Sequence, residues 1–141
     1  MLKGLDPLLS GPLLHLLDDL GHGDVVGLVD RNFPAHRYGV PVVDLRGADT
    51  AAAAEALLSV LPLDGFVERP VHRMEVDDRP EEVTSATRAL ADAASAAEGG
   101  PVEVAPVERF AFYEAAREAA FFVHTGETVP YSCYLLRKGV V

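Results

Sequence analysis

The residues Val25–Val29 constrain the fold of this chain more than any other stretch, because they form a nearly continuous apolar run rich in β-branched side chains. Such a run is typical of a strand that is covered on both faces. His22 lies just before the run, and Asp30 is the first polar residue after it. The sequence therefore predicts a buried strand with a histidine at its amino end and a carboxylate at its carboxyl end.

Strand-like and helix-like segments alternate along the rest of the chain. Four helices are expected, at residues 11–20, 50–61, 80–98 and 109–119. Five further strands are expected, at residues 42–46, 70–77, 101–107, 121–125 and 131–141. Ser10 and Asp49 can cap the first two helices, and Gly21 can end the first. This alternation predicts an α/β fold, and 141 residues, 49% of them hydrophobic, are enough for one compact domain over residues 1–141.

The charge balance argues against several classes of partner. The formal net charge is -10, from 12 basic and 22 acidic side chains, and no cluster of Lys or Arg is present to neutralise phosphates. We therefore expect no binding to nucleic acid or to an anionic membrane surface. The single cysteine, Cys133, excludes an internal disulfide, and the first residues lack the apolar segment of a signal peptide. These features predict a cytoplasmic protein.

The positions of His22 and Asp30 raise a geometric problem. Ligands of open α/β sheets bind beyond the carboxyl ends of strands, which places Asp30 and the loop after it at a candidate site. A strand of seven residues spans about 23 Å, so His22 would lie too far away to contact the same small ligand. Either the strand starts later than His22 suggests, or the two residues belong to different sites.

Six segments carry a resemblance that runs in order along almost the whole chain. They are MLKGLDPLLS, LGHGD, D-x-x-FPAH, ERFAFYE-x-A, TGE-x-x-x-Y and LL-x-KGV. Together they resemble the RbsD/FucU family of sugar mutarotases, which includes L-fucose mutarotase and ribose pyranase, and FPAH and RFAFYE are closer to the fucose branch. The resemblance implies an RbsD-like fold and an enzyme that interconverts the α and β anomers of a reducing monosaccharide, most simply L-fucose, without a metal or cofactor. It also implies a ring-shaped homo-oligomer, a decamer, with sites at subunit contacts.

The resemblance makes His22 the catalytic acid/base. Opening a hemiacetal ring removes a proton from the anomeric hydroxyl and gives one to the ring oxygen, and closure reverses both transfers. An imidazole suits this chemistry because its unperturbed pKa of about 6.5 leaves both protonation states accessible near neutral pH. The alternative is a histidine that is simply favoured by the dipole at the end of the first helix.

The other site residues are expected to bind the sugar. Asp30 would accept bonds from hydroxyls or orient an imidazole, or it could simply cap the following turn. Arg109 would bind vicinal hydroxyls or stabilise the oxygen that loses its proton, with a surface ion pair as the alternative. The family's substrate-contacting segment begins at Tyr131 and here continues through Ser132 and Cys133. Tyr113 is interpreted as packing beside Phe110 and Phe112.

This chain departs from the family pattern at two places. The segment usually reads Tyr, a small residue and Asn, so Cys133 replaces an amide that both donates and accepts. Losing one sugar hydrogen bond would cost about 0.5–1.5 kcal/mol, which bears on substrate preference. Arg31 and Asn32 also differ from the alanine and histidine that the fucose branch tends to carry before FPAH.

Other functions remain open at this point. A metal site built from His22, Asp30 and His36 matches none of the short ligand motifs. A sugar-binding or scaffold ring without turnover is a second alternative, and a pyranase acting on ribose is a third. The C-terminal residues 132–141 stay apolar to the last position, which indicates burial either against a neighbouring copy or in a core strand of the same chain.

Overall fold

A six-stranded mixed sheet organises the chain, and the computed structural model describes all residues, 1–141. The strands are β1 (Val25–Val29), β2 (Val42–Leu45), β3 (Val71–Met74), β4 (Val104–Val107), β5 (Ala119–Thr125) and β6 (Tyr134–Arg137). The helices are α1 (Gly11–Asp18), α2 (Thr50–Leu58), α3 (Ser85–Glu98) and α4 (Arg109–Ala115). Two short 3-10 turns, Ala35–Tyr38 and Ala116–Glu118, complete the regular structure.

The strand order is β2-β5-β1-β6-β3-β4, and only β6 runs antiparallel to its neighbours. The carboxyl ends of the other five strands therefore meet the amino end of β6 at one side of the sheet. We call this side, where β1 ends at Val29 and β6 begins at Tyr134, the carboxyl end of the sheet. The opposite side, where β1 begins at Val25 and β6 ends at Arg137, is the amino end.

The two faces of the sheet carry two hydrophobic clusters. The larger one packs α1, α2 and α3 against side chains such as Val26, Phe121 and Leu136. The smaller one packs α4 and the residues around the Ala35–Tyr38 turn against the other face. Covering both faces buries every residue of β1, which confirms the predicted buried strand.

A close contact between β1 and β5 explains the glycine inside the apolar run. A Cβ atom added to Gly27 would lie 2.2 Å from Cδ1 of Phe122 on the neighbouring strand. Only glycine leaves room for this aromatic ring, since core packing does not tolerate such overlap.

The predicted α/β fold is confirmed, but several boundaries are wrong. The first helix ends at Asp18, before the predicted stop at Gly21, and α2 ends at Leu58. The third helix begins at Ser85, because the Thr84 side chain accepts a bond from the Thr87 N–H and so marks the helix start.

The end of the chain also differs from expectation. The fourth helix stops at Ala115, a 3-10 turn follows, and β5 already begins at Ala119. The last strand covers only Tyr134–Arg137, while Val140 and Val141 are exposed. The interpretation of the whole C-terminal run as a core strand is therefore wrong. None of the four helices combines the length and the apolar composition that a membrane crossing requires.

Candidate active site

Five of the six predicted site residues lie at the carboxyl end of the sheet. Asp30 directly follows β1, and Arg109 begins α4 two residues after β4 ends. The segment Tyr131–Cys133 leads directly into β6. Since β6 is antiparallel to β1, with Leu28 opposite Tyr134, the residues before β6 come to lie beside the residues after β1.

Asp30 is buried and has structural partners. Its Oδ1 accepts from the backbone N–H of Asn32 at 3.0 Å and of Phe33 at 3.1 Å, so the carboxylate does cap the following turn. Both bonds are made by Oδ1; the Cys133 thiol also hydrogen-bonds this carboxylate, and a carboxylate has lone pairs for a further donor. A turn cap and a contact with a ligand are therefore compatible in this residue.

Cys133 lies next to the Asp30 carboxylate. It is buried, and burial together with the negative charge of Asp30 raises the pKa of its thiol well above the usual value. The thiol is therefore protonated at neutral pH and is a poor nucleophile. Next to it, the buried Ser132 Oγ has no hydrogen-bond partner, and Tyr131 has a φ of 63°, in the left-handed region that non-glycine residues seldom adopt.

Arg109 lies at one wall of a cleft with a volume of ≈ 780 Å³. Its Nη1 donates to Asp77 Oδ2 at 2.7 Å, and its guanidinium carbon lies 5.2 Å from the ring centroid of Phe110. The hydrogen bond to Asp77, followed by that to Tyr113, raises the pKa of Arg109, which therefore remains a cation. The expected alternative of an ion pair is thus present in the structure, at a position that also faces the cleft.

Tyr113 has two roles in the geometry. Its ring stacks on Phe33, with centroids 5.6 Å apart and an interplanar angle of 21°. It also lines the cleft beside Arg109, across from Arg37 and Tyr38. Tyr113 is expected from the sequence to pack beside Phe110 and Phe112, but Phe110 is 69% exposed and does not lie in the core.

His22 is the one predicted site residue at the amino end of the sheet, and there its side chain pairs with Asp64. Its Nε2 is 3.1 Å from Asp64 Oδ1, and the side chain of Asp64 is 4% exposed. The same Oδ1 accepts from the Phe66 N–H at 3.0 Å. The Phe66 hydrogen bond and then that of His22 lower the pKa of Asp64, against the effect of its burial, so this carboxylate is ionised at neutral pH.

This pairing determines the role of each ring nitrogen of His22. A carboxylate can only accept a hydrogen bond, so Nε2 must carry the proton. In the neutral imidazole Nδ1 is then a free acceptor, and the side chain is 47% exposed to solvent. The ring of Phe66 lies beside it, with centroids 5.5 Å apart, and is itself 77% exposed.

The structure does not bring His22 and Asp30 together within one chain. The five residues of β1 separate them and span about 16 Å. The strand starts later than His22, yet it remains too long for both side chains to contact one small ligand. No three His, Cys, Asp or Glu side chains lie close enough to one another to hold a metal ion.

Asp64 and Phe66 are functional candidates that the sequence reasoning missed. Asp64 lies 42 residues after His22, in the segment between α2 and β3, and no local pattern connects the two. The only available signal was a lone carboxylate before Gly65 in a turn-like stretch. Such a carboxylate is ordinarily interpreted as a turn residue.

Comparison with known proteins gives matches over almost the whole chain. The "L-fucose mutarotase" of Glaesserella parasuis serovar 5 (strain SH0165) is 40% identical, over 99% of this chain and 96% of that protein. The human "Fucose mutarotase" is 39% identical, over 99% of this chain and 94% of that protein. The crystal structure of the fucose mutarotase of Streptococcus pneumoniae in complex with L-fucose matches with a TM-score of 0.89 and 26% identity, over 99% of both chains.

The family to which this chain belongs is identified by a match that covers nearly every residue. The profile of the RbsD / FucU transport protein family matches residues 3–141. Together with a relative that is 40% identical over 96% of its length, this match confirms the resemblance carried by the six segments. The chain belongs to the RbsD / FucU transport protein family.

Proposed function

We propose that this protein is a mutarotase that interconverts the α and β anomers of a reducing monosaccharide, in the first place L-fucose, through acid/base catalysis by His22. The observation that carries the proposal is the His22–Asp64 pair, in which the Nε2 atom of a half-exposed imidazole is hydrogen-bonded to an ionised carboxylate. The similarity to proteins named for L-fucose mutarotation supports the reaction and the sugar. We expect the reaction to take place in the cytoplasm.

The pair suits the two proton transfers of the reaction. Neutral His22 accepts the anomeric proton at Nδ1, and imidazolium returns a proton to the ring oxygen as the C1–O5 bond breaks. After rotation about C1–C2, closure reverses both transfers, so no proton is gained or lost over the cycle. Asp64 keeps the bond to Nε2 throughout and stabilises the imidazolium while it exists.

The site is proposed to form between two copies of the chain. One copy would supply His22 and Asp64 from the amino end of its sheet. The other would supply sugar contacts from the carboxyl end of its sheet, namely Asp30, Arg109, Tyr131, Ser132 and Cys133. The distance along β1 supports this arrangement, since one chain cannot place both ends against one sugar. A ring of identical copies, a decamer, would repeat the same contact around a closed circle.

Exposed apolar side chains support contacts between copies. Phe66 is 77% exposed beside His22, and Phe110 is 69% exposed beside Arg109. Val140 and Val141 are exposed as well, so the apolar C-terminus is not accounted for by packing inside its own chain. Large exposed apolar side chains at both ends of the sheet fit an end-to-end contact.

The decisive experiment measures anomer exchange by saturation-transfer NMR with L-fucose and, for comparison, D-ribose. Wild type is expected to accelerate exchange, and His22→Ala to reduce the rate by at least about 100-fold, the typical contribution of a general acid/base. His15→Ala is the matched control, because His15 also pairs with an aspartate, Asp19, but is 75% exposed on α1. Equal rates in the two variants would remove His22 from the mechanism.

The Cys133 departure favours one alternative strongly enough to be tested in parallel. If the missing amide has abolished turnover, the protein would be a sugar-binding ring of the same fold. Binding of L-fucose to wild type without any acceleration of exchange would establish that alternative. Faster exchange of D-ribose than of L-fucose would instead indicate a pyranase.

A further inference from the structure

Arg109 is held in place by a residue from outside its own helix. We propose that Asp77, in the segment after β3, is a positioning residue that orients the Arg109 guanidinium toward the sugar. This inference rests on the proposed function, because it concerns how that site binds its substrate. Asp77 itself is not placed against the sugar.

The contact between the two side chains is specific and short. Nη1 of Arg109 donates to Oδ2 of Asp77 at 2.7 Å, with 37% and 41% of the two side chains exposed. Only one guanidinium nitrogen takes part in this bond. A bidentate pair would use two nitrogens, so this single bond leaves more N–H groups available, and besides the contact with Tyr113 some of them can donate to sugar hydroxyls.

The carboxylate adjacent to Arg109 in the sequence does not take this role. Glu108 is adjacent in the chain, but its two oxygens accept from the backbone N–H groups of Phe110 at 3.0 Å and Ala111 at 2.9 Å. Arg109 is also the first residue of α4, where the positive end of the helix dipole disfavours a cation. Asp77 therefore supplies the negative charge that keeps the guanidinium at this place.

The ion pair also joins two separate parts of the chain. Its partners are 32 residues apart, while the pairs of Arg46, Arg79 and Arg117 link residues only two or three positions apart. Asp77 thus links the segment after β3 to the start of α4. The guanidinium carbon of Arg109 lies 6.0 Å from the ring centroid of Tyr113 on the same helix. An arginine side chain without this partner would lose this orientation and would have to give up rotamer freedom when it binds the sugar.

The test compares Asp77→Asn with Asp44→Asn. Asp44 also forms an ion pair with an arginine, Arg46, through Nε and Nη2 with a shortest distance of 2.6 Å, and it is not one of the proposed sugar contacts. In anomer-exchange assays over a range of L-fucose concentrations, we expect Asp77→Asn to raise KM about tenfold with kcat nearly unchanged, since an orienting contact acts on binding. Asp44→Asn should match wild type, and Asp77→Glu should recover most of the loss.

A second measurement follows Arg109 directly. The guanidinium Nε–H signal of Arg109 in NMR spectra is expected to report restricted motion in wild type and faster motion in Asp77→Asn, with the backbone amide spectrum otherwise retained. Identical KM values in Asp77→Asn and Asp44→Asn would overturn the inference and leave the mutarotase proposal intact. Absence of accelerated exchange in wild type would overturn both.

Discussion

At the scale of single residues, the His22–Asp64 pair shows how a carboxylate fixes the orientation and the tautomer of an exposed histidine. Asp64 is almost fully buried, and it is anchored by the Phe66 N–H, so the carboxylate cannot turn away from the imidazole. The bond to Nε2 leaves Nδ1 as the nitrogen that can exchange a proton with a ligand. A solvent-exposed ring therefore has one defined reactive atom.

Replacing Asp64 by asparagine tests this arrangement. The amide keeps the shape but loses the charge, and its NH2 group can turn toward Nε2 and force the other tautomer. We expect Asp64→Asn to lower the exchange rate of L-fucose about 10- to 100-fold, the scale reported for removal of groups that orient a functional histidine. The assay is the same NMR measurement as for His22→Ala.

The matched control is Asp19→Asn, since Asp19 pairs with the exposed His15 at 3.6 Å. This variant should exchange L-fucose as wild type does. An Asp64→Asn protein as active as the Asp19→Asn protein would show that the carboxylate has no part in catalysis.

At the scale of elements, Glu127 in the connection between β5 and β6 holds the carboxyl end of the sheet together. Its Oε2 accepts from the N–H of Thr50, the first residue of α2, at 3.0 Å. Its Oε1 accepts from Thr128 at 2.8 Å and Val129 at 2.9 Å. One buried side chain thus fixes both a helix start and the loop that leads to Tyr131.

The charge of Glu127 makes this element sensitive to pH. Burial raises the pKa of Glu127, but the N–H groups of Val129, Thr50 and Thr128 outweigh it and lower the pKa below its ordinary value. The carboxylate therefore stabilises the fold at pH values above its unfolded pKa of about 4.3. This contribution is lost as the pH falls through the lowered pKa of the folded state.

We expect Glu127→Gln to reduce the free energy of unfolding by about 1–3 kcal/mol at pH 7, because charged acceptors form stronger bonds than an amide. The difference from wild type should shrink as the pH falls below about 4. Urea unfolding at several pH values measures both effects. Glu81→Gln, at an exposed position without an ion pair, is the control, and a loss of stability equal to that of the control would contradict this role.

At the scale of the whole molecule, the two ends of the sheet carry different halves of the proposed chemistry. The amino end would supply the proton-transferring pair His22 and Asp64, and the carboxyl end would supply the sugar contacts. Since β1 separates them by about 16 Å, the proposed site would need two copies of the chain. Ten copies of 15.1 kDa would give a particle of about 151 kDa, and light scattering at the mass of a single chain would contradict the ring.

A mixing experiment tests the shared site directly. At L-fucose concentrations well below the wild-type KM, His22→Ala and Arg109→Ala should each be almost inactive alone, because each damages every site of its own ring, the first in proton transfer and the second in sugar binding. When the two variants are co-expressed in equal amounts and assemble at random, each of the two chains at a head-to-tail contact supplies an intact half of the site with a probability of about one half. About one site in four is then complete. We therefore expect about a quarter of the wild-type exchange rate. No recovery in mixed rings of confirmed composition would mean that each site lies within one chain.

Local patterns in the sequence were enough to predict the central strand Val25–Val29, the helix caps at Ser10 and Asp49, and the α/β alternation. These features depend on side-chain periodicity and on hydrogen bonds between residues close in the chain. The six segments also identified the family. The notable errors were boundaries, such as the start of α3, where a choice between neighbouring caps decides the outcome.

The tertiary structure alone decided which of the candidate residues meet. The antiparallel direction of β6 places Tyr131–Cys133 beside Asp30, and the packing of the segment after α2 places Asp64 against His22. Both depend on the order and direction of strand pairing, which join residues tens of positions apart and leave no periodic trace in the chain. The separation of His22 and Asp30, by contrast, follows from the sequence alone, because an extended strand rises by a fixed distance per residue and β1 lies between them.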